Sequence, residues 1–202
     1  AIIFPIKEIC TLAKELNIMT IIDGAHAPAQ IDLNLDTLGA DIYTGACHKW
    51  MLCPKGVAFL YSSKEFQDKL EPLVVSWGWE SDAPSHSQFL DYHQYQGTND
   101  VSAYLAVPSA IDFLNKHDWN NVRDHCHEKI IETRQILIET SGTDPICSDQ
   151  DLGQMTSVVI NTKESEKLYK YLKQNNIEVP VFNWNGKNLL RVSFQCYNTM
   201  ED

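Results

Sequence analysis

No apolar run in these 202 residues approaches the roughly 20 needed to cross a bilayer, and no charged-then-apolar leader opens the chain, so no membrane partner is expected. Basic side chains are scarce: 16 Lys and Arg against 27 Asp and Glu leave a formal charge of −11. Affinity for nucleic acid comes mostly from cations that neutralise phosphates, and no local basic patch stands out, so nucleic acid is set aside as a partner. The six cysteines (Cys10, Cys47, Cys53, Cys126, Cys147 and Cys196) contain no C-x-x-C pair. Scattered in this way, they read as free thiols in a reducing compartment, and a cytoplasmic location is expected. Repeats and low-complexity tracts are also missing. What remains, 44% apolar and 21% charged residues, is ordinary globular composition, which excludes a disordered or collagen-like chain. The length allows one large domain or two small ones.

Apolar residues Ile6, Ile9, Cys10, Ala13 and Leu16 recur at helical spacing behind Pro5, a helix-start signal. The β-branched run Ile18 to Ile22 ends in Asp23-Gly24 and reads as a buried parallel strand with a polar residue at its carboxyl end. A second strand, Asp41 to Gly45, leads into Cys47-His48-Lys49-Trp50, and a third runs from Val57 to Tyr61. Ser62-x-x-Glu65 fits a capping box for a short helix. Residues 72–100 read as a long loop of the kind that carries function. A helical pattern from Val101 to Lys116 is interrupted by Pro108, where the helix should kink or restart. A longer helix follows to about Thr140, then strand, helix, strand, strand: Thr156–Ile160, Glu164–Gln174, Ile177–Phe182 and Leu189–Phe194. Alternating elements of this kind predict an α/β layer architecture. The texture changes near Asp118, so the expected domains are residues 1–118 and 119–202.

Asp23 and Lys49 each stand just past the carboxyl end of a predicted strand, where open α/β sheets present ligand-binding groups. A carboxylate and an amine held there suit a Schiff-base cofactor. The amine forms the covalent link, and the carboxylate keeps a ring nitrogen protonated so that the ring accepts electrons. Spacing alone leaves plainer readings open, since Asp-Gly after a strand is a common turn and a loop lysine is commonly solvated.

The motifs around the pair narrow the reading. Asp23-Gly24-Ala25-His26-Ala27, Tyr43-Thr44-Gly45-x-Cys47-His48-Lys49-Trp50, Pro54-Lys55-Gly56, Tyr95-Gln96-Gly97-Thr98-Asn99-Asp100, Ala106 to Leu114 and Leu190-Arg191-Val192-Ser193 occur in this order. Together they resemble the class V aminotransferases, pyridoxal-phosphate enzymes of the aspartate-aminotransferase fold type. The Asp-Gly-Ala-His and Cys-His-Lys-Trp versions resemble the isopenicillin N epimerase branch. The resemblance implies part of a three-layer α/β/α cofactor-binding large domain followed by a small α/β carboxyl-terminal domain. It implies that Lys49 is the Schiff-base lysine and catalytic base, and that Asp23 is the partner of the pyridinium nitrogen. His26 falls at the donor to the ring's 3′-oxygen, and His48 orients or contacts the cofactor. Gly97 and Thr98 match a loop that reaches the phosphate in a neighbouring subunit, implying a homodimer with shared sites. Arg191 matches the grip on a substrate carboxylate, for which a two-pronged guanidinium is suited, with Tyr197 and Asn198 close behind it. The implied substrate is a small molecule, an amino acid or a peptide containing one.

Two departures from the pattern stand out. Many members carry a phosphate-binding serine three residues before the lysine, where this chain has Ala46. The family's amino-terminal half supplies the main phosphate-cradling loop and the aromatic that stacks on the ring, and this sequence contains no counterpart. The expectation is therefore the carboxyl-terminal part of such an enzyme, one that holds the cofactor poorly or not at all by itself. Three other functions compete. A cysteine desulfurase needs a mobile thiol before Arg191, and residues 182–188 contain no cysteine; Cys196, after Arg191, reads as buried and inert. A carbon–sulfur lyase needs no such thiol, and a silent truncated protein stays open. No metal is expected, because Asp124 to Glu128 lie on a predicted helix where neighbours point apart.

Overall fold

The computed structural model of the chain describes residues 2–202. It divides into two compact units, Pro5–Phe113 and Leu114–Asp202, the second also taking in the stretch through Phe4.

In the unit Pro5–Phe113, α1 (Ile6–Glu15) buries Cys10 and Ala13, the inner side of the helical spacing read from sequence. Strands β1 (Ile21–Asp23), β2 (Ile42–Ala46) and β3 (Ala58–Ser62) form a sheet in that order. β1 and β2 are parallel, with Ile21 opposite Ile42 and Asp23 opposite Thr44, whereas β3 returns antiparallel, with Ala46 opposite Ala58. β2, between two neighbours, is mostly buried on both faces. Its register with β1 is set ahead of the pairing. The Asp41 carboxylate accepts from the Thr20 backbone N–H at 2.8 Å and from its hydroxyl at 2.9 Å, while Thr20 Oγ1 accepts from Asp41 N–H at 3.0 Å. The core gathers Cys10, Ala40 and Tyr43 with Ile22, Leu38 and Phe59, and a second cluster gathers Cys47, Cys53 and Val57. Helices α2 (Leu35–Leu38), α3 (Lys64–Gln67), α4 (Gln88–Gln94), α5 (Ser102–Leu105) and the start of α6 (Val107–Lys116), which runs past Phe113, complete the order. The chain breaks at Ala106, and α6 restarts with Pro108 in its first turn, where a missing N–H costs no helical bond.

The other unit opens with the 23-residue α7 (Trp119–Ser141) and continues as β4 (Met155–Val159), α8 (Ser165–Gln174), β5 (Val181–Trp184) and β6 (Lys187–Ser193). Its antiparallel sheet runs β4-β6-β5. Cys126, Ile130, Leu152 and Phe194 make the core. Arg134, buried on α7, pairs with Asp149 and donates to the Cys147 carbonyl at 2.9 Å, so its charge is satisfied inside. Asn185 (φ 49°) and Gly186 (φ 74°) turn β5 into β6, the two-residue turn with both φ angles positive that a twisted hairpin favours. No helix among the described residues is long and apolar enough to cross a membrane.

Several expectations are corrected. β1 is not a buried strand: among the described residues it stands at the sheet edge, with one neighbour, and Ile21 is 63% exposed. Ile18 and Met19 precede it and are exposed as well. The capping box does not form, because β3 extends through Ser62, whose buried hydroxyl donates to the Ser63 carbonyl; Ser63 stands at the N-cap without a side-chain bond. The stretch 72–100 is not all loop, since α4 occupies Gln88–Gln94, capped by the Ser87 hydroxyl, which accepts from Leu90 N–H at 3.3 Å. The strand expected at Ile177–Phe182 begins at Val181 and runs to Trp184, because the Asn-Gly turn sets where the hairpin closes. Cys196 is exposed, not buried: β6 ends at Ser193, so the strand alternation does not reach it.

Two substitutions test this packing. A Cβ at Gly24 would meet the buried Tyr43 hydroxyl at 1.8 Å, so Gly24→Ala should lower stability to urea by about 1–3 kcal/mol. Ile130, 1% exposed, should cost about 2–5 kcal/mol as Ile130→Ala. Unchanged unfolding midpoints would contradict either contact.

Candidate functional site

Parallel pairing puts the carboxyl ends of β1 and β2 on the same side of the sheet, so Asp23 and the turn that follows Ala46 leave the sheet together. Asp23, the last residue of β1, is exposed, and one of its oxygens accepts from Ala25 N–H at 3.0 Å. That bond closes a small Asx-type turn and holds the carboxylate at the strand end. The chain can turn this tightly because Gly24 has no side chain to strike Tyr43, and Gly24 N–H donates to the Thr44 carbonyl at 2.9 Å. The Tyr43 hydroxyl lies close enough to Asp23 to feel its charge. Burial first, and the carboxylate second, raise its pKa above the ordinary tyrosine value, so it stays protonated.

Lys49 lies in the turn after β2, half-buried, and forms no ion pair among the described residues. The turn is tied back to β3 from both sides. Cys47 N–H donates to the Val57 carbonyl at 3.0 Å, and His48 Nδ1 donates to the same oxygen at 3.0 Å. In the neutral ring this tautomer carries its lone pair on Nε2. Cys53 N–H donates to the Cys47 carbonyl at 3.3 Å and closes the turn around Lys49. Burial pushes the Cys47 thiol up, with the neighbouring Cys53 adding to it, so both stay inert thiols packed beneath the lysine turn.

The two loops meet. Trp50, 7% exposed, donates its indole N–H to His26 Nδ1 at 3.3 Å, and the two rings stand 6.5 Å apart at 56°. The predicted residues Asp23, His26, His48 and Lys49 therefore stand on two hydrogen-bonded loops at one end of one sheet. Ala46 is buried opposite Ala58 and offers no hydroxyl; Thr44, half-buried, faces Asp23 across the ladder. Gly97 (φ 118°) and Thr98 lie in the irregular stretch after α4, with Thr98 Oγ1 at 3.5 Å from the Tyr95 hydroxyl. In the sequence, Tyr43 and Trp50 stand out only as members of the motif around Lys49. A buried tryptophan N–H needs an acceptor, but local sequence does not say which residue supplies it.

In the other unit, Arg191 sits mid-strand on β6, opposite Ser157 of β4, with its backbone N–H donating to the Pro180 carbonyl at 3.0 Å. Its guanidinium is half-buried and forms no ion pair among the described residues. Asn198 is engaged locally: its Oδ1 accepts from Gln195 N–H at 3.0 Å and its Nδ2 reaches Asp202 at 3.5 Å, while Tyr197 is exposed. On α7, Cys126 points into the core, where burial and the nearby Cys196 push its thiol up to about 11. His127 Nδ1 lies 3.2 Å from the Gly153 carbonyl.

The donor set fits a pyridoxal-type group. It combines an exposed carboxylate held in place, an uncommitted amine in the turn at the same sheet end, and a histidine whose Nδ1 is occupied.

Comparison with known proteins agrees with this reading. The family model described as Aminotransferase class-V matches residues 2–202. Isopenicillin N epimerase from Amycolatopsis lactamdurans is 33% identical over 211 residues, which cover 98% of this chain and 53% of that protein. A putative L-cysteine desulfhydrase 1 from Oryza sativa subsp. japonica is 29% identical over 232 residues, covering 100% of this chain and 47% of the relative. The apo structure of a cysteine desulfurase from Thermococcus onnurineus NA1 superposes with a TM-score of 0.80 at 17% identity, over 99% of this chain and 53% of that one, a likeness of fold. The chain thus spans about half the length of the curated relatives it matches. With its lysine and carboxylate loops joined at the end of a parallel strand pair, the chain belongs to the class-V aminotransferase family, whose enzymes depend on pyridoxal phosphate.

Proposed function

We propose that this chain carries the lysine-bearing part of a pyridoxal-phosphate enzyme that acts at the α-carbon of an amino acid or an amino-acid-containing peptide, in the manner of isopenicillin N epimerase. The observation that carries the reading is the joining of the Asp23 and Lys49 loops through Trp50 and His26. When bound, the cofactor supplies a conjugated ring that takes up the electron pair left at the substrate's α-carbon. Lys49 would anchor it and then, as a free amine, move the proton at that carbon. Asp23 would hold the ring nitrogen protonated by charge, from a position fixed by its bond to Ala25. His26 would donate to the ring oxygen, and His48 would brace the turn from the Val57 carbonyl. Arg191 would grip the substrate carboxylate; an unpaired, half-buried guanidinium is poorly solvated and gains from a two-pronged anion. Tyr197 and Asn198 stand behind it as weaker substrate contacts. Gly97 and Thr98 would serve the cofactor phosphate in a second copy of the chain, making a homodimer with shared sites. Six free cysteines suit a cytoplasmic setting.

Carbon–sulfur bond cleavage is the second reading, favoured by the 29% identical desulfhydrase relative. A desulfurase is less well supported. The segment before Arg191 is a hairpin closed by a two-residue turn and bears no thiol, so it offers no mobile sulfur acceptor.

The cofactor reading is tested by incubating the protein with pyridoxal phosphate, reducing with borohydride and mapping the adduct by mass. The tag should lie on Lys49 and vanish in Lys49→Ala; an adduct that persists there would sink the assignment. Arg191→Ala should raise KM for a carboxylate-bearing substrate on the order of 10–100-fold, the loss of a charge-assisted bond pair, with a smaller change in kcat. In deuterated water, label uptake at the α-carbon without a new product supports epimerisation, whereas release of a sulfur species supports the second reading.

A further inference from the structure

The register of the β4–β6 pair identifies the cross-strand neighbour of Arg191. Phe194 N–H donates to the Gln154 carbonyl and Ile160 N–H to the Asn188 carbonyl, both at 2.9 Å. Hydrogen-bonded pairs therefore alternate from Gln154 with Phe194 to Ile160 with Asn188, and Ser157 with Arg191 falls between them as a non-bonded pair. Such pairs are the narrow ones, with Cα atoms about 4.5 Å apart and both side chains close together on one face of the sheet. On its other flank Arg191 faces Pro180, whose carbonyl takes the Arg191 N–H at 3.0 Å and whose ring brings no polar group. Ser193, two residues along on the same face, is exposed, so its hydroxyl is solvated.

The geometry points to Ser157 as a specificity-determining residue, whose hydroxyl acts beside the Arg191 guanidinium as a further donor to a bound carboxylate. Three observations carry this. Ser157 is 4% exposed, so its hydroxyl meets little water and gains from a partner. That hydroxyl makes no hydrogen bond among the described residues, yet it is not sealed off as the hydroxyl of Thr156 on the opposite face is. The guanidinium opposite it is half-buried and forms no ion pair among the described residues, so the two stand together with donors to give. A carboxylate offers more acceptor sites than the two that a guanidinium fork fills, and a hydroxyl donates to one of the others. A serine has one side-chain torsion to fix, so the added bond costs little ordering. This use of Ser157 rests on the proposed role of Arg191, whereas the pairing of the two side chains rests on the register alone.

Nitrogen-15 NMR of the whole chain without cofactor reads this directly, because Arg123, Arg134 and Arg191 are the three arginines of the sequence and each gives its own Nε–H signal. Acetate is the probe and acetamide its neutral control, both at constant ionic strength. In the parent protein acetate should shift the Arg191 signal to saturation, while acetamide leaves it in place and Arg134, committed to Asp149, answers to neither. Ser157→Ala should weaken acetate binding at Arg191 about 5–10-fold, the worth of one hydrogen bond, and Ser157→Thr, which keeps the hydroxyl, should restore it to within about 2-fold. An unmoved Arg134 signal reports that each variant is folded. Should Ser157→Ala disturb it, Ser157→Cys, of similar shape but a weak donor, answers the same question and should bind acetate as poorly. Equal affinity in the parent and Ser157→Ala, or a threonine variant as weak as the alanine one, overturns the inference and leaves the role of Arg191 standing. An Arg191 signal indifferent to acetate in the parent counts against that role itself, and the inference falls with it.

Discussion

The structure of the site depends on the parallel pairing of β1 with β2. Three residues of β1 supply little pairing energy of their own, and the register is held by the Thr20–Asp41 exchange at the amino-terminal end of the pair. From that anchor, each strand runs one short step to a functional group. β1 ends on Asp23, and β2 ends three residues before Lys49. Because the strands are parallel, both groups come out at the carboxyl end, the crevice side of an open α/β sheet. A slip of one residue would turn Asp23 to the other face of the sheet, which is why the anchor is doubled.

A second constraint works on the loops beyond the strands. Tyr43 is buried beneath Gly24, so the chain can double back at Asp23 when position 24 lacks a side chain. The Val57 carbonyl receives two donors, Cys47 N–H and the His48 ring, so the lysine turn is fastened to β3. The Trp50–His26 bond then joins the fastened turn to the doubled-back loop. Strand pairing, a small residue and three hydrogen bonds thus place four polar groups with few apolar contacts at the site itself.

Most element types were legible in the sequence, because β-branched runs and 3.6-residue spacing follow from which face is buried. Asp23 and Lys49 were legible as strand-end residues, and Arg191 as a charge on an apolar strand. Less legible were features set by contact between distant segments. Ser62 reads as a helix cap, yet pairing with Ile42 draws it into β3. The polar run around α4 has weak periodicity, and the Ser87 cap, not an apolar face, marks where that helix starts. Asn185-Gly186 is a two-residue hairpin signal, and the strands on either side of it pair up to Trp184 and Lys187. Trp50 required knowing that a residue 24 positions away would supply its acceptor, which local sequence does not encode.

The open edge of β1 bears on how this polypeptide behaves in solution. Among the described residues of this chain, which spans about half the length of its relatives, one side of the strand has no neighbour; Ile21 is exposed on the strand, and Ile18 and Met19 are exposed just ahead of it. Unpaired backbone donors and acceptors beside apolar side chains form a template onto which another extended segment can add. Mutual repulsion from a formal charge of −11 opposes such addition, and dissolved salt weakens that repulsion. Concentration and ionic strength therefore bear on whether this polypeptide keeps to itself.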